Sequence, residues 1–339
     1  ILLLGGAVAA IVGYFNKVSF HKMLDEVANN IKSTASAILI LLMVGALAGT
    51  WMVSGIIPSM IYYGLQILSP AIFLPATLII CSVISIATGS SWTTSATVGI
   101  ALIGIGGALG FDLGMVAGAV ISGAYFGDKL SPMSDTTNLA PAMAGTDLFT
   151  HIRHMTKTTV PSILITLIIF GIIGFTSGAE GSVEQVKGIS GVITEKFNIN
   201  GWLFIVPLVV IGLIVKKVPA VPALLVGALL GGVFAIIFQP QIIYTIAGEN
   251  GMGYAYNAFK AVMMALYGSI SVVTSNDIVN ELLITGGMAG MLNTIWLIIC
   301  AMVFGGIMEE SGMLRVLAEA IISKVHSVGS LIASTDAVI

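Results

Sequence analysis

The sequence predicts an all-α polytopic membrane protein, laid out as an inverted-repeat secondary transporter with a re-entrant hairpin and a broken transmembrane helix. Three observations predict it. Of 339 residues, 57% are hydrophobic and only 9% charged. A soluble domain carries about 25% charged residues, so no soluble core could hide this much apolar surface. Apolar runs of spanning length recur along the chain. Two of the segments among them, 89–95 and 128–138, are rich in hydroxyls, carboxylates and backbone-breaking residues. At membrane depth such irregular backbone is tolerated only when it is buried in protein or lines an aqueous cavity.

A helix needs about 20 apolar residues to cross the hydrocarbon core. The chain opens inside a partial run at 1–15, without a basic leader or cleavage site, and reads there as the interior of a spanning helix. A full span is expected at 35–57. An apolar arm at 70–88 then reaches Gly89-Ser90-Ser91-Trp92-Thr93-Thr94-Ser95, and a second arm follows at 96–110. We read 70–110 as a re-entrant hairpin with its tip at 89–95. A third apolar run leads into Gly127-Asp128-Lys129-Leu130-Ser131-Pro132-Met133-Ser134-Asp135-Thr136-Thr137-Asn138, where Pro132 rules out a regular helix. The stretch 113–150 therefore reads as one spanning helix broken at 128–138. Further spans are expected at 159–177, 201–215, 219–238 and 289–308, with 178–200 as an extracytoplasmic loop. Both ends fall in apolar runs and are expected to be truncated.

Charge tests the layout. Following the passes places Lys17, Lys22, Lys32, Arg153, Lys157, Lys216 and Lys217 on one side, and Lys187, Lys196, Lys260, Glu180, Glu184, Glu195 and Glu249 on the other. The Lys/Arg excess marks the cytoplasmic face. A weak internal repeat accompanies this. Gly49-Thr50-Trp51-Met52-Val53-Ser54-Gly55-Ile56 lines up with Gly306-Ile307-Met308-Glu309-Glu310-Ser311-Gly312-Met313 at an offset of 257, and Leu2-Leu3-Leu4-Gly5 with Leu224-Leu225-Val226-Gly227 at 222. The copies run in opposite directions, as in secondary transporters whose broken helices meet at the midplane. The expected division is a first repeat at 1–177 and a second at 201–339, the latter ending before its own hairpin tip.

Within this frame the polar residues of the break are the candidate site. Charged groups inside a membrane are costly and mark ion or proton paths. Asp128 and Asp135, seven residues apart, offer carboxylates; Ser131, Thr136, Thr137 and Asn138 offer neutral oxygens. Hard cations prefer oxygen ligands. Burial disfavours an ionised carboxylate and a bound cation favours it, so such a site takes Na⁺ or H⁺ and disfavours both together. The plainer alternative has Asp128 paired with Lys129 or Lys157 and Asp135 capping a helix. At the hairpin tip, Ser90, Ser91, Thr93, Thr94 and Ser95 face a similar choice between lining the site and satisfying their own backbone; Trp92 is read as packing. Glu309 and Glu310 are read as a solvated helix end or a proton relay. Asp112 is read as a turn residue, and Asp147 as an ion-pair partner of Arg153 or His151.

The remaining composition excludes other classes. A net charge of −3 gives no basis for nucleic-acid binding. Cys81 and Cys300 lie in apolar runs and read as small core residues. Four histidines without paired spacing argue against a transition-metal site, and no phosphate-binding motif occurs. No cofactor is expected, and no enzyme: an intramembrane hydrolase with Asp128 and Asp135 as a dyad leaves the hairpin unexplained, and a channel has no need of inverted repeats. The expected partners are the bilayer and the transported Na⁺ and H⁺, with a small organic anion and a homodimer left open. An organic substrate calls for a cation facing the site, and Lys129 is the only candidate in the motif.

The run Gly127 to Pro141, followed by Gly145-Thr146-Asp147-Leu148-Phe149 and His151-Ile152-Arg153-His154-Met155, resembles the NhaC family of Na⁺/H⁺ antiporters, part of a wider ion transporter superfamily. Gly89-Ser90-Ser91-Trp92-Thr93-Thr94 is similar to the family's upstream polar motif. The resemblance implies exchange of Na⁺ for H⁺ across a bacterial inner membrane, with Asp128, Ser131, Asp135, Thr136, Thr137 and Asn138 as site residues. The family also contains malate–lactate antiporters, so an organic-acid exchanger is the alternative it implies.

Overall fold

The computed structural model describes residues 1–132, 134–176, 183–248 and 251–322, with the backbone alone at 135, 139, 142–144, 183–186, 278 and 321–322. Nearly all of it is helix. The first half holds α1 (Leu2–Phe15), α2 (Phe20–Val53), α3 (Ile56–Ile67), α4 (Pro70–Thr88), α5 (Ser91–Thr94), α6 (Ile100–Ala108), α7 (Leu113–Leu130), α8 (Asp135–Ala144) and α9 (Leu148–Thr176). The second holds α10 (Val183–Lys196), α11 (Ile205–Val215), α12 (Ala220–Phe238), α13 (Pro240–Ala247), α14 (Tyr254–Tyr267), α15 (Asp277–Leu282), α16 (Gly287–Gly290), α17 (Leu292–Glu310) and α18 (Met313–Ile322). Two residue pairs, Ile270 with Thr285 and Ser271 with Ile284, form a small antiparallel ladder that an all-helical reading does not anticipate.

Five described helices, α2, α4, α9, α12 and α17, are long and apolar enough to cross a membrane, and α10 with the following helix adds a sixth if that pair, bent by 90°, counts as one span. The chain is a multi-pass membrane protein.

Three expectations change. The break in 113–150 is narrower than 128–138: α7 continues through Leu130, so Asp128 sits in its last turn, and α8 already begins at Asp135. The second half is also short. Gly145 (φ 66°) stops α8, and Asp147 starts α9 by accepting the Thr150 N–H at 3.0 Å; those backbone donors hold its carboxyl below the ordinary carboxylate range. Asp147 is thus a cap rather than an ion-pair partner. Finally, 178–200 is no loop throughout, because Val183–Lys196 is helical. Ile189, Ile193 and Phe197, spaced four apart, bury one helical face.

The chain forms two compact units, Ile1–Leu39 with Leu292 onward, and Ile40–Met291. Neither follows the boundary between the expected repeats; each draws helices from both. In the first, α1 lies on α17: a Cβ at Gly5 would stand 3.3 Å from the Phe304 ring, and one at Gly6 3.7 Å from Ile307. In the second, α12 lies on the end of α2: a Cβ at Gly227 would stand 3.0 Å from Leu47 and one at Gly231 2.9 Å from Thr50. Trp51, fully buried, donates its indole N–H to Gly227 O at 3.1 Å. Gly5 and Gly227 occupy matching places in the aligned segments, and Leu47 and Phe304 each stand two residues before the other aligned pair. The aligned Ser-Gly elbows match as well: Gly55 (φ 78°) and Gly312 (φ 71°) both turn through the left-handed region between two helices.

Two features of the larger unit position the site. Gln239, 2% exposed, ties three corners together: its Nε2 donates to Ser54 O (3.2 Å) and Asn198 O (2.9 Å), and its Oε1 accepts the Asn198 N–H (3.0 Å). Helix α4 packs closely on α7, where Gly123 abuts Leu78 O and a Cβ on Gly127 would stand 2.5 Å from Ser82 O and from Ser85 Cβ. Small residues four apart let two membrane helices meet backbone to backbone. Ser85 Oγ, donating to Ala124 O at 2.5 Å, bonds the same seam.

Candidate functional site

The α4–α7 seam brings the predicted hairpin tip to the predicted break. Pro70 at the first turn and left-handed Gly89 (φ 68°) at the end define α4, and the Gly89 N–H closes the last turn on Ser85 O at 2.8 Å. Ser90 follows in extended backbone, and its hydroxyl caps the next helix by accepting the Thr93 N–H (3.2 Å) and Thr93 Oγ1 (3.0 Å). A π-helical turn, Ser95–Gly99, joins α5 to α6. One further bond reaches across: Ser91 Oγ donates to Asp128 Oδ2 at 2.9 Å.

Beyond Asp128 the break is held by its own hydroxyls. Ser131 Oγ donates to Ile86 O (2.8 Å), tying the break back to α4. Thr137 Oγ1 bonds Asp128 O (3.0 Å) and Lys129 O (3.2 Å), closing two of the last carbonyls of α7. Ser134 Oγ pairs with Thr136 Oγ1 at 2.9 Å, and Asn138 Nδ2 donates to Pro132 O (2.8 Å) and Ser134 O (2.7 Å). Most of these polar side chains therefore satisfy backbone in a corner that lipid could not tolerate.

What is left opens onto a cleft of about 490 Å³, lined by Thr88, Gly89, Ser90, Trp92 and Thr93 from the hairpin, Asp128, Pro132, Ser134, Thr136 and Asn138 from the break, Ile40 from α2, and Ile214, Lys217, Val218, Pro219 and Ala220 from the α11–α12 corner. Asp128 is half-buried there. No ion pair involves it; among the described residues the ion pair present is Arg315 with Glu319. A carboxylate with one serine donor keeps free lone pairs toward the cleft, and together with the hydroxyls of Ser90, Thr93, Ser134 and Thr136 it offers hard oxygen ligands. Among the described residues no three His, Cys, Asp or Glu side chains gather as a transition-metal site would require.

The structure thus places Ser90, Thr93, Asp128, Thr136 and Asn138 on one cleft, with Ser91 behind Asp128. Ser131 and Thr137 are buried within the break, and Thr94 is buried against Ser90 O (2.9 Å) and Thr88 (3.3 Å). Ser95 lies in the π-helical turn and does not line the cleft. The Asp135 backbone begins α8 beside it; its side chain lies outside the described residues. Glu309 and Glu310 end α17 in the smaller unit, where Glu309 accepts from Asn30 Nδ2 at 3.4 Å. Trp92 is 46% exposed at the cleft rather than packed.

Sequence reasoning missed the α11–α12 corner. Lys129, the cation it favoured, is exposed and lines a separate hollow with Ser122, Tyr125, Thr159, Ser162 and Thr166. Lys217 lines the cleft instead. Its N–H bonds Ile214 O (2.8 Å) while Val218 N–H bonds Leu213 O (3.0 Å), the helix-ending pattern that normally places glycine where Lys217 stands, at φ 64°. That backbone costs an L-residue roughly 1–2 kcal/mol. Positive charge count read Lys216 and Lys217 together as a topology signal, and only the fold separates them.

The model of the "Na+/H+ antiporter family" matches residues 123–338. The malate-2H⁺/Na⁺-lactate antiporter of Bacillus subtilis is 40% identical over 329 residues, 97% of this chain and 67% of that protein. The Na⁺/H⁺ antiporter NhaC of Alkalihalophilus pseudofirmus is 37% identical over 328 residues, 97% of this chain and 68% of its own. The arginine/ornithine antiporter ArcD of Halobacterium salinarum is 35% identical over 315 residues, 92% of this chain and 61% of its own. The chain thus spans about two thirds of the length of these relatives. No solved structure matches.

Proposed function

Since the chain belongs to the Na⁺/H⁺ antiporter family, we propose that it exchanges Na⁺ for H⁺ at Asp128, as a secondary transporter of a bacterial inner membrane. The observation that carries this is the Ser91–Asp128 bond at the head of the cleft. A half-buried carboxylate with one hydroxyl donor and several hydroxyls around it binds a dehydrated Na⁺ through oxygens, or a proton, and neutralises its charge either way. Occupancy by one lowers affinity for the other. Competition of this kind yields exchange once the cleft opens to the two sides in turn. Asp135, one helix start away, is the second carboxylate of this reading.

The inverted-repeat and re-entrant readings enter here as architecture. Two matched helix pairs, α1 on α17 and α12 on α2, support the repeat, as do the two left-handed Ser-Gly elbows. The turn at Gly89–Ser90 beside Asp128 supports a hairpin that dips to the ion. The Lys/Arg-rich corners at Lys17 and Lys217 then face the cytoplasm.

Everted membrane vesicles carrying the intact protein test the proposal with a ΔpH-sensitive dye. Addition of Na⁺ collapses the gradient in the absence of any organic anion, and Asp128→Asn abolishes the collapse while the protein remains folded. Exchange retained in Asp128→Asn removes Asp128 from the site.

A further inference from the structure

We propose that the hollow between α7 and α9 binds the phosphate head of an anionic phospholipid, with Lys129 as the cation that recognises it. The hollow shares no lining residue with the ion cleft. The inference therefore stands apart from whatever the cleft exchanges.

The seam between the two helices opens as a wedge. Deep in it, Phe170 of α9 lies on Gly118 of α7, where a Cβ would stand 3.7 Å from Phe170 Cζ. Toward the end of α7 a hollow of about 150 Å³ remains, lined by Ser122, Tyr125 and Lys129 from α7 and by Thr159, Ser162 and Thr166 from α9. Its hydroxyls are of two kinds. Ser162 and Thr166 donate one turn back along α9, to Thr158 O and Ser162 O, both at 2.9 Å. That is how a helix ordinarily satisfies a hydroxyl from within. Ser122, Tyr125 and Thr159 make no such bond among the described residues, and Lys129 has neither a hydrogen bond nor an ion pair there. Three hydroxyls and an ammonium are thus available as donors, and no described carboxylate lines the hollow. Such a set suits an oxyanion.

Depth decides which oxyanion. Along α9 the exposed side chains change at Thr159 from Arg153, His154 and Lys157 to Leu164, Ile165, Ile168 and Ile169. The hollow therefore lies at the level where a membrane passes from headgroups to acyl chains, and Tyr125, 55% exposed, is an aromatic residue of the kind that sits there. Charge points the same way. Arg153 and Lys157, four apart on one helix, repel each other, and among the described residues neither has an acidic partner. The described carboxylates nearest along the two helices are engaged elsewhere: Asp128 accepts from Ser91 at the cleft, and Asp147 accepts the Thr150 N–H. Basic pockets between spanning helices at this level are the places where anionic head groups bind. Size agrees, since about 150 Å³ falls below the roughly 300–1,000 Å³ that encloses a small molecule. A lipid needs room only for its head, while its chains lie outward along Ile121 and Ile165, both exposed.

The test follows thermal unfolding of the purified intact protein in neutral detergent as dioctanoyl phosphatidylglycerol, dioctanoyl phosphatidylcholine or inorganic phosphate is added. Phosphatidylglycerol raises the midpoint at lower concentration than phosphatidylcholine, and phosphate alone at matched concentration does not raise it. Lys129→Gln increases the phosphatidylglycerol concentration for half the shift by roughly fivefold, the weight of one lysine at a charged membrane surface. Lys129→Arg keeps the wild-type value. So does Lys22→Gln, which removes the same charge from α2. Equal responses to the two lipids, or a wild-type titration in Lys129→Gln, overturn the proposal. A full shift with phosphate alone also overturns it, since the site would then hold a free anion. A phosphatidylglycerol carrying a diazirine at its head supplies a reading that needs no variant. In the wild type its label maps to 122–129 and 159–166; label confined to other segments sinks the assignment.

Discussion

Ser91 and Asp128 are 37 positions apart and meet at 2.9 Å, one from the start of α5 and the other from the last turn of α7. The contact exists because Gly123 and Gly127 let the two helices approach backbone to backbone. Hydrogen bonds to charged groups contribute about 1.5–3 kcal/mol, or roughly 10–100-fold in an equilibrium constant. Ser91→Ala should raise the Na⁺ concentration for half-maximal ΔpH collapse by about that factor, and Ser91→Thr by less. An unchanged Na⁺ dependence in Ser91→Ala would reduce the bond to a packing detail.

Gly127→Ala tests the seam itself. The added methyl meets Ser82 O and Ser85 Cβ at 2.5 Å, so α4 and α7 must part. Overpacking of this kind costs about 1–3 kcal/mol. We expect a lower thermal midpoint together with weaker Na⁺ dependence, since the same shift draws Ser91 from Asp128. Gly171→Ala on α9, where a Cβ meets nothing within 4 Å, should leave both unchanged.

Thr137 is expected to act on stability first. It holds the carbonyls of Asp128 and Lys129, and Thr137→Val leaves both without that donor. Unsatisfied buried groups cost about 1–3 kcal/mol. Thr137→Ser should restore the wild-type midpoint. Failure of serine to rescue would assign the effect to the methyl group instead.

Gln239→Leu removes the bonds to Ser54 and Asn198 at once while keeping apolar volume. We expect a destabilised protein, again by about 1–3 kcal/mol or more, read as urea or thermal unfolding of purified protein. A neutral Gln239→Leu would show that water or neighbouring backbone takes over those partners.

Much of this was legible in the sequence. The spans at 1–15, 201–215, 219–238 and 289–308 fall within a few residues of α1, α11, α12 and α17, because length and apolarity alone define a helix in lipid. The break at Pro132 and the turn at Gly89 were also legible, since proline and a left-handed glycine act through local backbone. Three things were not. Val183–Lys196 carries enough charge to read as a loop, and its buried face shows only against the partners that cover it. The division of hydroxyls between structure and cleft depends on distances between segments: Ser131 turned to Ile86 O and Thr137 to the end of α7, while Ser90 and Thr136 face the opening. Lys217 stands 79 residues beyond Asn138, the last residue of the motif it joins. Spacing along a chain carries no information about that meeting.

The lodging of α1 against α17 has a consequence for biosynthesis. Phe304 leaves the ribosome about 300 residues after Gly5, which at 5–20 residues per second is roughly 15–60 s. Through that interval the small-residue face of Gly6, Ala9 and Gly13 has no native cover from α17. Helix α1 must wait in the bilayer, or against the insertion machinery, until α17 is made. A nascent chain stalled before Leu292 should therefore leave that face open to labelling from lipid, and release of the stall should close it.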